Sequence, residues 1–524
     1  MSESEWIEVE RPDYVVVGAG SAGCVVAARL SEDPDAKVLL IEAGGEDVGE
    51  IFDVPSQWGR QFLTDNDWCY WSEPEPHMGG RRNYLPRGKV LGGTSSINGL
   101  LYVRGVPLDY DEWAGSGCEG WAWEEVLPYF KRAEGNLRGS DGLHSGDGPL
   151  KVEDRIRNNP LSEAWVEAAV AAGLPANRDF NGPDQEGAGF FQLTQSRGTR
   201  CSTSAAYLRP AMSRPNLRVL TFSRVLKVNV TGQRATGVVV ERLGRRHSIE
   251  ATSEVILCGG AYNSPQLLML SGIGPAADLA EMGIPVIEDL PVGRNLQEHP
   301  GSYFVFTTDM ETLKDMGSDA DWAHWRSHRD GPLVTNIVEA GGFWRSNPGL
   351  PTPDLESCFM PGLFSEEGLG EESFRAFTVV SEVLRPTSTG TVRLRSSDPT
   401  AQPRITHNHF ATEEDRLTLV EGLRINMRIA ETSPIKELET GRPCYPESDS
   451  DEDLLAHIAD HGFGLFHPTS SCPMGAVLDS RLRVHGVEGL RVADASVMPK
   501  IVRGNPNGAV VMIGEKAADL IRAG

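Results

Sequence analysis

A chain of 524 residues is too long for one compact core, so it holds two or more domains or one large domain with a second threaded through it. Its 74 acidic and 49 basic residues give a formal charge of -25, which excludes nucleic acids and anionic membrane surfaces as partners, because their phosphates repel such a protein. The amino terminus, MSESEWIEVERPDYVVVGAG, has no basic or apolar leader pattern, and no apolar run approaches the ~18 residues of a membrane helix, so the expectation is a soluble, cytoplasmic protein without membrane insertion.

Residues 13–44, DYVVVGAGSAGCVVAARLSEDPDAKVLLIEAG, read as strand, glycine turn, helix and strand. Val15 to Val17 form an apolar run without helical period, and after the turn residue Ser21 a helix from Ala22 carries Val25, Val26, Ala28 and Leu30 before KVLLIEAG resumes strand character. Gly18 allows the tight turn, Gly20 lets a pyrophosphate approach the backbone, and Gly23 lets helix and strand pack closely. The free amides at the start of that helix face the phosphates. Glu42 ends the next strand, where its carboxylate accepts from ribose hydroxyls and opposes the 2'-phosphate of NADP. The motif does not separate NAD from FAD.

Gly92 and Gly93, followed by Thr94, Ser95, Ser96 and Asn98, give a loop with little bulk and many hydrogen-bonding groups, suited to lie against a planar polar ring. Residues 309–352, rich in Asp, Gly, Trp and Pro with weak periodicity, are expected to form loops over a pocket. ESDSDEDL, from 447, reads as a solvated turn and helix start. Asn507 is placed to cap a helix whose apolar residues Val510, Val511, Ile513, Ala517, Leu520 and Ile521 recur at helical spacing. The eight cysteines are scattered singly, with no C-x-x-C pair and no zinc-type spacing to histidine, so reduced, mostly buried thiols and no metal site are expected.

Three further stretches carry a family resemblance. GKVLGGTSSINGLLYVRG (88–105) resembles the first signature of the glucose-methanol-choline (GMC) oxidoreductases, and GAYNSPQLLMLSGIG (260–274) matches their second at every constrained position. GLRVADASVMPKIVRGNPNGAVVMIGEKAADLI (489–521) is similar to the segment that closes the isoalloxazine site of these flavoproteins. WCYWSEPEP, RCSTSAAYLRPAMSRPNLRVLT and LRPTSTGTVRLRSSDP extend the agreement, in order, from residue 13 to 521. The resemblance implies FAD and an α/β architecture. A Rossmann-like FAD-binding domain would take residues 1–158, 205–308 and 468–524, and a discontinuous α+β substrate domain, built on a large antiparallel sheet with helices on one side, residues 159–204 and 309–467. It implies cofactor contacts from Ala43, Trp71, Val90, Gly93, Ser96, Asn98, Gly99, Val225, Ala261, Asp494, Ala495, Asn505 and Asn507, besides the residues of the nucleotide turn. The positive end of the last helix would then stabilise negative charge on a reduced flavin.

Oxidising an alcohol to a carbonyl removes the hydroxyl proton and the hydride on the same carbon, so a base must sit beside the hydroxyl. Histidine suits that step because its pKa lies near neutrality. By resemblance, His467 of GLFHPTSSCPMG is the catalytic histidine, flanked by Phe466 in the substrate pocket, and Asn505 of RGNPNG is the second active-site residue, which holds the substrate oxygen. His299 of NLQEHP is expected to hold a loop near the cofactor, and His407 and His409 to sit on a surface strand. In the choline oxidase branch a histidine precedes the signature asparagine and bonds the flavin; here TSSIN has Ile97, so FAD is expected to be non-covalent. Glu339 of NIVEAGGF matches the carboxylate that faces the trimethylammonium group in choline-oxidising relatives. The reading is an FAD-dependent alcohol oxidoreductase of the choline dehydrogenase-like or bacterial alcohol dehydrogenase-like kind, with a hydroxynitrile lyase or a choline dehydrogenase or oxidase as alternatives. Its partners are a small-molecule alcohol and an electron acceptor, oxygen or another, with a homodimer as the candidate assembly.

Overall fold

The computed structural model describes residues 11–371 and 373–524; the first ten residues, on which the reading of the amino terminus rests, lie outside the described residues. Two sheets position everything that follows. In the first, five short strands run parallel in the spatial order Leu217–Leu220, Val38–Ile41, Tyr14–Val17, Glu254–Leu257, Leu490–Val492. They read as near-continuous apolar runs because parallel strands covered on both faces have no solvent side to alternate towards. The helix Ser21–Leu30 lies against the carboxyl-terminal helix Asn507–Arg522, whose Val510, Val511, Ile513, Ala517 and Ile521 are buried, with Leu520 partly so.

The second sheet is antiparallel and seven-stranded, in the order Gly441–Cys444, Pro300–Thr307, Ala376–Val383, Leu355–Met360, Ala340–Trp344, Gly187–Phe190, with Phe463–Gly464 paired to Pro300–Thr307. Pro300–Thr307 therefore belongs to this sheet, so the chain crosses over before residue 300 and not at the expected 308. Helices Pro160–Ala171, Glu413–Ala430 and Asp451–His461 cover one face, burying Trp165, Phe304, Phe359, Phe377, Leu419 and Ile458. Strand period two sends Glu356, Cys358 and Met360 to the opposite face, together with Val380 and Glu382 of the neighbouring strand.

Residues 309–352 are more ordered than their composition suggests. They contain the helix Asp319–His328, capped by Ser318 Oγ, which accepts from the Asp321 amide at 3.2 Å, and the strand Ala340–Trp344. Trp325 anchors this stretch against Val54, Leu333 and Val334, so a compact apolar cluster replaces the expected pocket loops. Ser450 caps the Asp451–His461 helix in the acidic stretch near 447. Asn507 is not a cap: Pro506 takes that position without a side-chain bond, and Asn507 Oδ1 instead accepts from Ser21 Oγ at 2.8 Å, tying the last helix to the first. No described helix is long and apolar enough to cross a membrane. All eight cysteines are free thiols, six of them buried.

Candidate active site

One cavity of about 320 Å³ runs from the carboxyl ends of the parallel strands to the open face of the antiparallel sheet. At its nucleotide end it is bordered by Gly18, Gly20, Ser21, Ala22, Glu42 and Ala43. Gly23 stays out of the wall: a Cβ there would lie 1.9 Å from the Gly18 carbonyl oxygen, so glycine is what lets the helix close on the turn. Gly93 meets the same turn, its would-be Cβ 2.7 Å from Gly20 Cα, which brings the first and second motifs into contact. Glu42 accepts the Ala19 and Gly44 amides at 2.8 Å, one on each carboxylate oxygen, leaving lone pairs on both for ligand hydroxyls. Burial pushes its carboxyl up to about 7.

The cavity is bordered further by Asn98, Gly99, Val225, Ala261, Asp494, Ala495, Asn505 and Asn507. Asn98 Oδ1 accepts from Arg200 Nη1 at 2.8 Å, which fixes the amide plane. Asp494 joins two segments by accepting from the Gly260 amide and Ser264 Oγ on one oxygen and from the Ser496 amide and hydroxyl on the other. Three of the residues expected to contact the cofactor do not border this cavity. Trp71 is 37% exposed and packs on Tyr84, while Trp68, three residues earlier on the chain, takes the wall position. Val90 is buried in a small cluster with Phe52 and Ile97, and Ser96 Oγ turns back to the Leu91 carbonyl at 2.8 Å.

At the far end Phe466 adopts a left-handed backbone, φ 67°, and turns the chain so that both it and His467 border the cavity. Arg87 Nη2 holds this turn by donating to the Phe466 carbonyl at 2.6 Å, and the His467 amide donates to Glu298 Oε1 at 2.5 Å. A non-glycine residue in this region costs about 1–3 kcal/mol and persists only where surrounding contacts over-determine it.

The ring of His467 is set by a second histidine. His299 Nε2 lies 3.1 Å from the Val502 carbonyl, which can only accept, so that nitrogen carries the proton and Nδ1 carries a lone pair. His299 Nδ1 lies 3.0 Å from His467 Nδ1, which must therefore be the N–H donor. His467 Nε2 is left with the lone pair, 3.2 Å from the Asn505 amide nitrogen, a donor. Burial pushes the His467 ring well below its ordinary value, helped by His299 and by the charge of Arg87, and burial pushes His299 down to about 3. The arrangement offers one neutral base, aimed by a fixed tautomer, beside one amide donor.

Glu339 lies outside this cavity. Its carboxylate pairs with Arg155 at 2.6 Å and accepts from Thr335 Oγ1, Ser162 Oγ and the Asn159 amide, so its capacity is spent inside the fold. His407 and His409 are buried, not on a surface strand: His407 bonds Tyr262 Oη at 2.8 Å, and their rings stack 4.8 Å apart. The sequence reading missed Glu382, whose signal was a lone acid in the otherwise uncharged strand AFTVVSEV, and Glu298, which precedes the histidine of NLQEHP. It also missed Trp58, Phe62, Phe364 and Phe463, aromatic wall residues from three separate segments.

The amino-terminal GMC oxidoreductase family model matches residues 12–301, and the carboxyl-terminal one residues 386–514. An uncharacterized GMC-type oxidoreductase of Mycobacterium tuberculosis is 43% identical, over 98% of this chain and 99% of its own. The mitochondrial choline dehydrogenase of Mus musculus is 41% identical, over 97% of this chain and 89% of that protein. The crystal structure of pyridoxine 4-oxidase from Mesorbium loti superposes with a TM-score of 0.89 at 30% identity, covering 98% of this chain and 99% of that one. A continuous cavity joining a nucleotide turn to a paired histidine and asparagine, on a chain matched along nearly its whole length, leaves one conclusion: the chain belongs to the GMC oxidoreductase family.

Proposed function

We propose that this protein oxidises an alcohol to its aldehyde or ketone with bound FAD, His467 taking the hydroxyl proton. The observation that carries the reading is the forced tautomer of His467, which directs the Nε2 lone pair beside the Asn505 amide in the same cavity that Gly18, Gly20 and Glu42 border. Those turn residues would hold the dinucleotide, with its ribose hydroxyls on Glu42 and its phosphates at the start of the Ser21–Leu30 helix. When bound, FAD supplies the two-electron acceptor for the carbinol hydride. The rest is work of the chain. His467 Nε2 forms the new N–H bond as the O–H bond breaks, Asn505 donates to the oxygen as charge builds there, and Phe466 and Phe463 help to exclude water.

Ile97 supports non-covalent FAD: it is buried at the cavity wall and has no nucleophilic atom. The wall beside His467, with Trp58, Phe62, Met360, Phe364 and Phe463, suits an alcohol with an apolar or aromatic body. Glu339, held by Arg155, offers nothing to a cationic substrate. The test is anaerobic addition of an alcohol panel to the yellow holoenzyme. Bleaching by one or more alcohols is expected, with oxygen or another acceptor restoring the colour. A flavin that stays oxidised while a cyanohydrin is cleaved would replace this reading with a hydroxynitrile lyase.

A further inference from the structure

A base that holds a proton in a closed site needs a negative charge near it, and the immediate surroundings of His467 supply little. The ring is largely buried, Arg87 brings a like charge, and His299 is neutral with its Nε2 proton on the Val502 carbonyl. Glu298 uses one oxygen on the His467 and His299 backbone amides. Glu382 stands differently. It borders the cavity, is 1% exposed, and places Oε2 3.8 Å from His467 Nδ1 and 4.0 Å from His299 Nδ1. Neither of its oxygens receives a hydrogen bond from a described protein donor.

Directly across the strand pair lies Glu356, fully buried, with Oε2 equally without a donor and Oε1 3.6 Å from Cys358 Sγ. Ligand atoms of Glu356, Cys358 and Glu382 lie within 4.8 Å of one another. The charged groups acting on Glu382 are Glu356 and Glu298, both acidic. No described cationic side chain acts on the pair, and two carboxylates so placed do not both stay ionised; a proton held between them turns one oxygen into a donor and removes the repulsion. Burial pushes both carboxyls up, and the neighbouring carboxylates Glu356 and Glu298 push Glu382 up further.

We propose that Glu382, sharing one proton with Glu356, is a positioning residue that serves as the counter-ion of His467 while His467 holds the hydroxyl proton. This rests on the reading of His467 as the base. As the alcohol O–H bond breaks and the N–H bond forms at Nε2, the electron pair left on oxygen becomes the second bond of the carbonyl, and the C–H pair leaves with its hydrogen for the cofactor. The pair's own proton moves to Glu356, so its single negative charge rests on Glu382, beside the imidazolium. No proton enters or leaves the pair. His467 Nδ1–H keeps its bond to His299 throughout.

The pair predicts opposite signs for its two members. Glu382→Gln removes the charge beside His467, so the imidazolium becomes harder to form. Glu356→Gln removes the competitor for ionisation and leaves a full charge on Glu382, so the imidazolium becomes easier to form. Arg87, Glu298, His299 and Arg385, the other ionisable groups around the two histidines, are the same in both variants.

The experiment titrates His467 in holoenzyme labelled with ¹³C-histidine, the His467 ring signal being the one lost in His467→Asn. This is a readout that does not need turnover. The acid limb of anaerobic flavin reduction is measured on the same samples, and thermal melts confirm that each is folded. The expected result is a His467 proton affinity at least about tenfold higher in Glu356→Gln than in Glu382→Gln, with wild type between them. Coincident or reversed values overturn the proposal, because a merely structural role would shift both variants the same way. If the two values separate as expected but His467→Ala reduces its flavin normally, the reading of His467 as the base fails and the ion-pair assignment stands.

Discussion

His299 and His467 face each other through their Nδ1 atoms at 3.0 Å, with ring planes 84° apart, and the Val502 carbonyl behind His299 decides which of the two donates. Replacing His299 by Leu removes the acceptor and leaves His467 free to exchange tautomers. Flavin reduction is expected to slow about tenfold, the worth of one lost hydrogen bond. FAD content should not change. Stopped-flow reduction checks the first point and the absorbance ratio of the purified protein the second.

His467→Ala is expected to keep FAD but lose roughly two to four orders of magnitude in anaerobic reduction, the usual contribution of a positioned base. Asn505→Ala should lose less, on the order of tenfold to a thousandfold, because the base remains. Burial lowers the His467 pKa, so the ring is neutral and competent above that lowered value. The wild-type rate should therefore fall only as pH drops below the ordinary histidine range, and the alanine variant should lack that limb. An alanine variant with near wild-type rate and the same limb would return His467 to a structural part.

Ile97 at the wall leaves no attachment atom. Acid precipitation should release all the yellow colour into the supernatant as intact FAD. Flavin retained in the pellet, detected after proteolysis as a flavin peptide, would show a bond to another residue.

Glu42 must be ionised to accept from two ribose hydroxyls, yet burial holds its carboxyl at about 7 without a ligand. Ligand hydroxyls stabilise the charged form, so affinity of the apoprotein for FAD should strengthen as pH rises through about 7. Glu42→Gln should bind more weakly and lose this dependence; each charge-assisted bond contributes roughly 1.5–3 kcal/mol at most. Unchanged affinity and pH profile in a fluorescence titration would mean that the ribose lies elsewhere.

Glu339→Ala leaves the Arg155 guanidinium buried without its partner. A loss of about 3–5 kcal/mol in folding stability is expected from breaking such a pair. Denaturant melts read that loss. Kinetics on the surviving enzyme should show no change in preference between a cationic alcohol and a neutral alcohol of the same shape. A selective rise of KM for the cationic one would place Glu339 at the substrate after all.

Local chemistry made part of this protein legible along the chain. The glycines of residues 18–23 and Glu42 at a strand end act within a short span, where spacing alone determines geometry; Gly18, Gly20 and Glu42 border one cavity, with Gly23 packed behind them. His467 and Asn505 were marked by motif resemblance and meet at 3.2 Å. What the sequence could not determine depended on which strands become neighbours. Glu356 faces Glu382 only because of the register of two antiparallel strands, and a slip of one residue would send each to the opposite face. Trp71 and Val90 were expected to contact the cofactor and Glu339 the substrate, but side-chain direction turned the first towards solvent, the second into a core cluster and the third to Arg155. Residue type and local spacing prescribed the nucleotide turn, and family resemblance pointed to FAD and to His467 and Asn505, whereas burial, tautomer and charge pairing are properties of contacts between distant segments and were decided only when the chain folded.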